Sequence, residues 1–175
     1  TDVVPVIDGA AKDELQAHAD RMEKEFKLLA RAPLQRNLNG HYLAPCAFEI
    51  DSITSLEKEV FGPILHVVRY RSRDLDRVID EINGTGYGLT LGIHSRIDRT
   101  QRYIASRVQA GNCYINRNMI GAVVGVQPFG GERLSGTGPK AGGPYYLHRF
   151  ATERTLSVNT AAVGGNTGLL SLPED

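Results

Sequence analysis

Three stretches of the chain carry residue types that could do chemistry. Glu59-Val60-Phe61-Gly62-Pro63 offers a carboxylate, an aromatic face and a rigid turn. A carboxylate can accept both hydroxyls of a ribose, and an aromatic ring can pack on a flat heterocycle. On composition alone the bland alternative weighs more: a surface Glu and a core Phe ahead of a strand, because Glu is mostly solvated. Gly121-Ala122 follows a strand end. Small side chains there leave backbone N–H groups open to an anion such as a carboxylate. Gln127-Pro128-Phe129-Gly130-Gly131 presents an aromatic ring from a glycine-rich loop, with a loop that merely packs tightly as the even alternative. The run from Gly136 to Gly143 imitates a phosphate loop. That reading fails, because Lys140 is followed by Ala141-Gly142-Gly143-Pro144, which cannot open the helix a Walker loop needs.

The remaining reactive types suggest less. Cys46 and Cys113 are far apart and lack CxxC spacing, so neither a zinc site nor a disulfide framework is expected. Cys113, inside the apolar run Cys-Tyr-Ile, is expected to be buried and inert. Cys46 follows Pro45 with no evident base. His18, His41, His66, His94 and His148 are scattered without an HExxH pair, so no metal is expected.

The elements that must hold these residues follow from periodicity. Residues 10–31 predict a helix, with Leu15, Ala19, Met22, Phe26 and Leu29 as its apolar stripe and Pro33 as its stop. Ala47–Ile50 and Ile64–Tyr70 predict strands. Ser72 or Asp74 caps a helix over Leu75–Asn83, which buries Leu75, Val78, Ile79 and Ile82. Leu89–His94 predicts a strand, Asp98 caps a helix over Thr100–Gln109, and Asn112–Asn116 predicts another strand. The alternation predicts an α/β fold with parallel strands and crossover helices. Ligands in such sheets lie beyond the carboxyl ends of strands, so the loops after Asn116 and around Gly62 are the candidates. Residues 117–145 predict a long loop, of a length that is usually functional or disordered, and Thr155–Asn159 a last strand.

Composition bounds the function class. The chain has 175 residues. That is long enough for a core, with roughly 70% of the unfolded surface buried on folding. Lys plus Arg and Asp plus Glu number 20 each, so no basic excess argues for nucleic acid or anionic lipid. No apolar run is long enough to span a bilayer, and cysteine usage fits the cytoplasm. The start at Thr1, without Met or a signal peptide, reads as a cut from something longer.

The ordered set Glu59–Pro63, Gly86–Arg96, Ala110–Asn116 and Pro128–Gly131 resembles the aldehyde dehydrogenase superfamily, and Thr1–Asp8 is similar to the segment downstream of its nucleophilic cysteine. The resemblance covers essentially the whole chain. The stretches Asn116–Gly131 and Leu134–Pro144 look like the L-glutamate-γ-semialdehyde (pyrroline-5-carboxylate) dehydrogenase module of the bifunctional proline utilization A enzymes. The fold implied is the parallel-sheet catalytic-domain portion over residues 1–150, an oligomerisation strand over 151–160 and a C-terminal tail over 161–175. The resemblance implies NAD as cofactor, with Glu59 on the nicotinamide ribose and Phe61 near the nicotinamide. FAD would serve only an absent proline dehydrogenase domain. Gly121 and Ala122 would anchor the substrate's α-carboxylate, and Phe129 would pack on its aliphatic part. The expected partners are a small aldehyde carrying a carboxylate and further copies of the chain. The family's catalytic Cys, its general-base Glu and most of its dinucleotide-binding domain lie upstream of Thr1, so the isolated piece is expected to be inactive. Val4 stands where the family commonly has Gly. A non-catalytic assembly piece and a fragment of a different aldehyde dehydrogenase are the alternatives.

Overall fold

The computed structural model describes residues 3–34 and 39–159. The first helix, α1, spans Gly9–Glu25. It begins where Asp8, in an extended conformation, accepts the Ala11 N–H at 2.8 Å. That bond satisfies one of the otherwise unpaired donors of the first turn. Leu15, Ala19 and Met22 form the buried face, at the four- and three-residue spacing of one helical stripe.

The helix ends six residues before the sequence-based boundary at residue 31. Phe26 is already extended, at φ −135° and ψ 171°, and Lys27–Arg31 is strand β1. The apolar pattern permits both readings. Phe26 continues the helical stripe, but Phe26 and Leu28 also alternate at the two-residue spacing of a strand, and both pack on the core. The neighbouring strand decides the matter, because it gives the backbone of Lys27–Arg31 an antiparallel partner.

That neighbour is β2, Cys46–Ile50, which pairs in parallel with β3, Ile64–Val68. Cys46, Phe48 and Ile50 alternate onto one face of the sheet and meet Ala19 and Met22 of α1. Phe26, Leu28, Leu56, Ile64 and Val68 complete this core. Phe48 and Met22 are fully buried, and each such side chain contributes about 2 kcal/mol by burial. The sheet order is β1-β2-β3, so one edge is antiparallel where an all-parallel sheet is expected.

The second half forms a separate two-stranded parallel sheet. Helix α2, Leu75–Gly84, leads to β4, Thr90–Ile93. Helix α3, Asp98–Arg107, crosses over to β5, Asn112–Ile115. On α2 only Ile79 is fully buried, and Leu75, Val78 and Ile82 are half-buried. Asp98 is the first helical residue of α3 rather than its cap. Ile97 holds the cap position without a side-chain hydrogen bond, and Asp98 pairs with Arg102 at 2.6 Å. Asn83 ties the two helices, donating to Arg107 O at 2.9 Å and accepting from the Gln109 N–H at 2.9 Å.

Short 3-10 turns at Arg133–Ser135 and Tyr146–Phe150 punctuate the long segment after β5. Residues 151–159 form no strand among the described residues, so the expected strand at Thr155–Asn159 has no ladder here. Its physical requirement is a partner edge, which a second copy can supply. The expected tail, 161–175, lies outside the described residues. No helix among the described residues is long and apolar enough to cross a membrane.

Candidate functional site

Glu59–Pro63 closes the connection from β2 back to the start of β3. The loop therefore stands at the amino end of β3, not beyond a carboxyl end as expected, because residues 51–63 must return along the sheet before Ile64 can pair beside Cys46. Two tight backbone bonds shape it: Gly62 N–H to Val60 O at 3.1 Å and Ile64 N–H to Gly62 O at 2.8 Å. Gly62 has a steric reason to be glycine. A Cβ there would lie 2.5 Å from Leu15 Cδ1, so the buried Leu15 of α1 occupies the place of a side chain.

With its backbone pinned from behind, the loop presents Phe61 outward, 87% exposed, and Glu59 beside it. Both line an open groove of about 1210 Å³ between the loop, α1 and the N-terminal segment Val3–Ile7. The bland expectation of a core Phe therefore fails, and an exposed aromatic beside an exposed carboxylate remains. An aromatic face can pack on a flat heterocycle, and a carboxylate can accept hydroxyl groups.

His18 and His66 meet on the flank of this groove. Their Nε2 atoms are 2.9 Å apart and their rings are edge to face at 79°. Read along the sequence the five histidines look scattered, but α1 and β3 bring two together. One ring must donate Nε2–H and the other accept. Desolvation by burial holds both below their ordinary value of 6.5, with Arg21 and Lys58 adding to the effect at His18, and His18 and Arg21 at His66. The folded pKa values are lowered, so the unfolded chain binds more protons below about pH 6.5. The pair's contribution to stability is thus present above that pH and lost as the pH falls through the folded values. In urea melts of the chain at pH 7 and pH 5.5, the wild type is expected to lose more stability than His18→Gln. Equal losses in both would remove the pair as the cause.

The second surface follows β5. Along this strand Asn112 and Tyr114 are buried while Cys113 and Ile115 are exposed. Cys113 therefore faces outward, against expectation, because the polar Asn112 claims the inner face. Partial burial still pushes its thiol up. Cys46 lies in the core, where burial raises its thiol despite the opposing charge of Arg31. Both settings are the reverse of an activated nucleophile. Among the described residues, no group of three His, Cys, Asp or Glu side chains could hold a metal.

Asn116 follows β5 in the left-handed region, at φ 54°. Asn tolerates that conformation better than most residues. It grips the loop after β4 in both directions: Asn116 Nδ2 donates to Ser95 O at 2.9 Å, and the Ser95 N–H donates to Asn116 Oδ1 at 3.0 Å. The chain then turns through 117–127. Among the described residues, neither the Gly121 nor the Ala122 N–H donates a hydrogen bond. From the sequence, such donors are expected to be open to an anion because the side chains are small. Phe129 is fixed by an antiparallel bridge to Ala141, with backbone bonds of 3.0 and 2.9 Å. Gly121, Ala122 and Phe129 thus share one loop system, and none of them lines the groove beside Glu59.

The residues that hold this loop lie within the stretches that carry the family resemblance, but the resemblance gives them no role. Asn112 Nδ2 donates to Pro128 O and Asn112 Oδ1 accepts from the Gly130 N–H, both at 3.1 Å, so Asn112 grips the chain on each side of Phe129. The signal in the sequence is a polar residue within an apolar strand, since buried polar groups must find partners. Arg117 and Gln127 pair across the loop as well, and nothing in their spacing marks them.

The chain matches the aldehyde dehydrogenase family over residues 1–156. It is 53% identical over 170 residues to the bifunctional protein PutA of Rhizobium meliloti, covering 97% of this chain and 14% of the relative. Among solved structures, proline utilization A of Bradyrhizobium japonicum superposes with a TM-score of 0.83 at 60% identity, covering 93% of this chain and 16% of the other. A 1-pyrroline-5-carboxylate dehydrogenase from Thermus, solved with bound NAD, gives a TM-score of 0.72 at 33% identity, covering 83% of this chain and 28% of that one. The chain thus spans a small part of each relative.

Proposed function

Because this chain belongs to the aldehyde dehydrogenase family, we propose that it is the C-terminal part of an NAD-dependent L-glutamate-γ-semialdehyde dehydrogenase. The observation that carries this reading is the loop after β5. Among the described residues, two adjacent backbone N–H groups, at Gly121 and Ala122, donate no hydrogen bond, which supports a seat for a carboxylate. In this reading Phe129 packs on the aliphatic chain between that carboxylate and the aldehyde. Glu59 accepts the nicotinamide ribose hydroxyls and Phe61 lies against the ring. The dinucleotide supplies the hydride acceptor. This chain's own residues bind and orient. The nucleophile comes from outside it, since burial raises the thiol pKa at both Cys46 and Cys113 and a nucleophilic thiol needs the opposite shift.

The segment at 155–159 fits a second role in the same protein, a strand added to a neighbouring copy. Leu156 is 79% exposed and Val158 is 67% exposed. Two residues apart, they would share one face of such a strand.

The complete dehydrogenase is expected to form NADH from L-glutamate-γ-semialdehyde, and the 175-residue chain alone to form none. NADH from the isolated chain, or none from the complete enzyme, overturns the assignment.

A further inference from the structure

Arg117 makes several contacts, and its hydrogen bonds all end on its own loop. Its Nη1 donates to Gln127 Oε1 at 3.0 Å and its Nη2 to Gly121 O at 3.0 Å. Its Nε donates to Asn118 O at 3.2 Å, and its guanidinium lies 4.2 Å from the Tyr114 ring centroid. Gln127 Oε1 also accepts the Val123 N–H at 3.0 Å, and the Gln127 N–H donates to Val123 O at 2.8 Å. Two side chains ten residues apart therefore close the loop into a ring, with Gly121-Ala122 on its rim.

We propose that Arg117 and Gln127 are positioning residues that set the selectivity of the Gly121-Ala122 loop for a carboxylate-bearing aldehyde. The inference rests on the anchor reading of that loop given above. Its physical basis is preorganisation. A loop with little periodic structure has many conformations, and backbone donors bind an anion well only when their directions are fixed beforehand. The Arg117 bond fixes the carbonyl of Gly121. The Ala122 N–H shares that planar peptide and points the opposite way, so its direction is fixed too. The Gln127–Val123 bonds hold the residue that follows. Tyr114 in β5 is 7% exposed. Its buried ring gives the guanidinium a rigid floor. Arg117 thus directs its donors at the loop rather than at a ligand.

The complete enzyme tests this with two aldehydes: L-glutamate-γ-semialdehyde and an unbranched aldehyde of the same length without the carboxylate. The readout is the ratio of kcat/KM between them. Gln127→Leu, which keeps the Arg117 charge, is expected to lower that ratio about tenfold, roughly one well-placed hydrogen bond, and the change should lie in KM rather than kcat. Arg117→Ala should do the same, with Arg117→Lys in its place where the alanine variant does not fold. If Gln127→Leu leaves the ratio unchanged while Arg117→Ala lowers it, Arg117 contacts substrate directly and the positioning role is overturned. Equal losses on both aldehydes mean a purely structural role, which also overturns it. Ala122→Asp separates the two levels of the argument. If it lowers the ratio and Gln127→Leu does not, the positioning proposal alone falls. If neither does, the anchor reading falls and takes the proposal with it.

Discussion

Gly111→Ala is expected to destabilise the protein by about 3 kcal/mol, and to lower its thermal midpoint below that of the wild type. The reason is a seam of backbone contacts. Gly111 N–H donates to Gly88 O at 3.0 Å, and Glu132 N–H donates to the same carbonyl at 2.9 Å. A Cβ on Gly111 would collide with Gly130 O, and would lie 2.9 Å from Gly131 Cα. These obstacles are main chain, so no rotamer change relieves them. The strand β5, the loop after α2 and the 128–136 segment would have to separate. Gly84→Ala is the matched control, because nothing lies within 4 Å of its Cβ position. Scanning calorimetry of both variants in the complete enzyme checks this. A Gly111→Ala midpoint equal to that of Gly84→Ala would sink the account.

The second large effect is on recognition. Ala122→Asp in the complete enzyme is expected to weaken semialdehyde binding by about 100-fold, with the neutral aldehyde affected far less. Ala122 is half-buried. In the proposed reading, a carboxylate there sits on the donors of the substrate's carboxylate and opposes it with like charge. Losing a charge-assisted hydrogen bond and adding that repulsion costs about 3 kcal/mol, near two factors of ten. Steady-state kinetics on the two aldehydes measure it. Unchanged affinity for glutamate semialdehyde would remove Gly121-Ala122 from the site.

Much of the frame is legible in the sequence because periodicity and punctuation coincide. Leu15, Ala19 and Met22 mark α1, Gly62-Pro63 marks the entry to β3, and Gly86 at φ 78° closes the turn after α2. The misreadings have physical causes. Phe26 serves a helical and a strand period equally, so only the pairing of the residues after it with β2 could end α1 at Glu25. Cys113 sits in an apolar run whose hydrogen-bonding member, Asn112, takes the inner face and turns the thiol out. The candidate site residues Glu59, Phe61, Gly121, Ala122 and Phe129 are nameable from type and family resemblance. The supporting role of their neighbours is not. Asn112 reaches Gly130 across 18 residues, Arg117 reaches Gln127 across 10, and His18 reaches His66 across 48, distances over which residue order says nothing.

The fit of Leu15 into the empty side-chain position of Gly62 makes two separate sequence positions one heritable trait. A larger residue at 62 requires Leu15 to shift or to be replaced by a smaller one, since a Cβ would stand 2.5 Å from the leucine methyl. Drift on the hidden face of α1 is therefore tied to the loop that displays Phe61, and related chains that vary at one position should vary at the other.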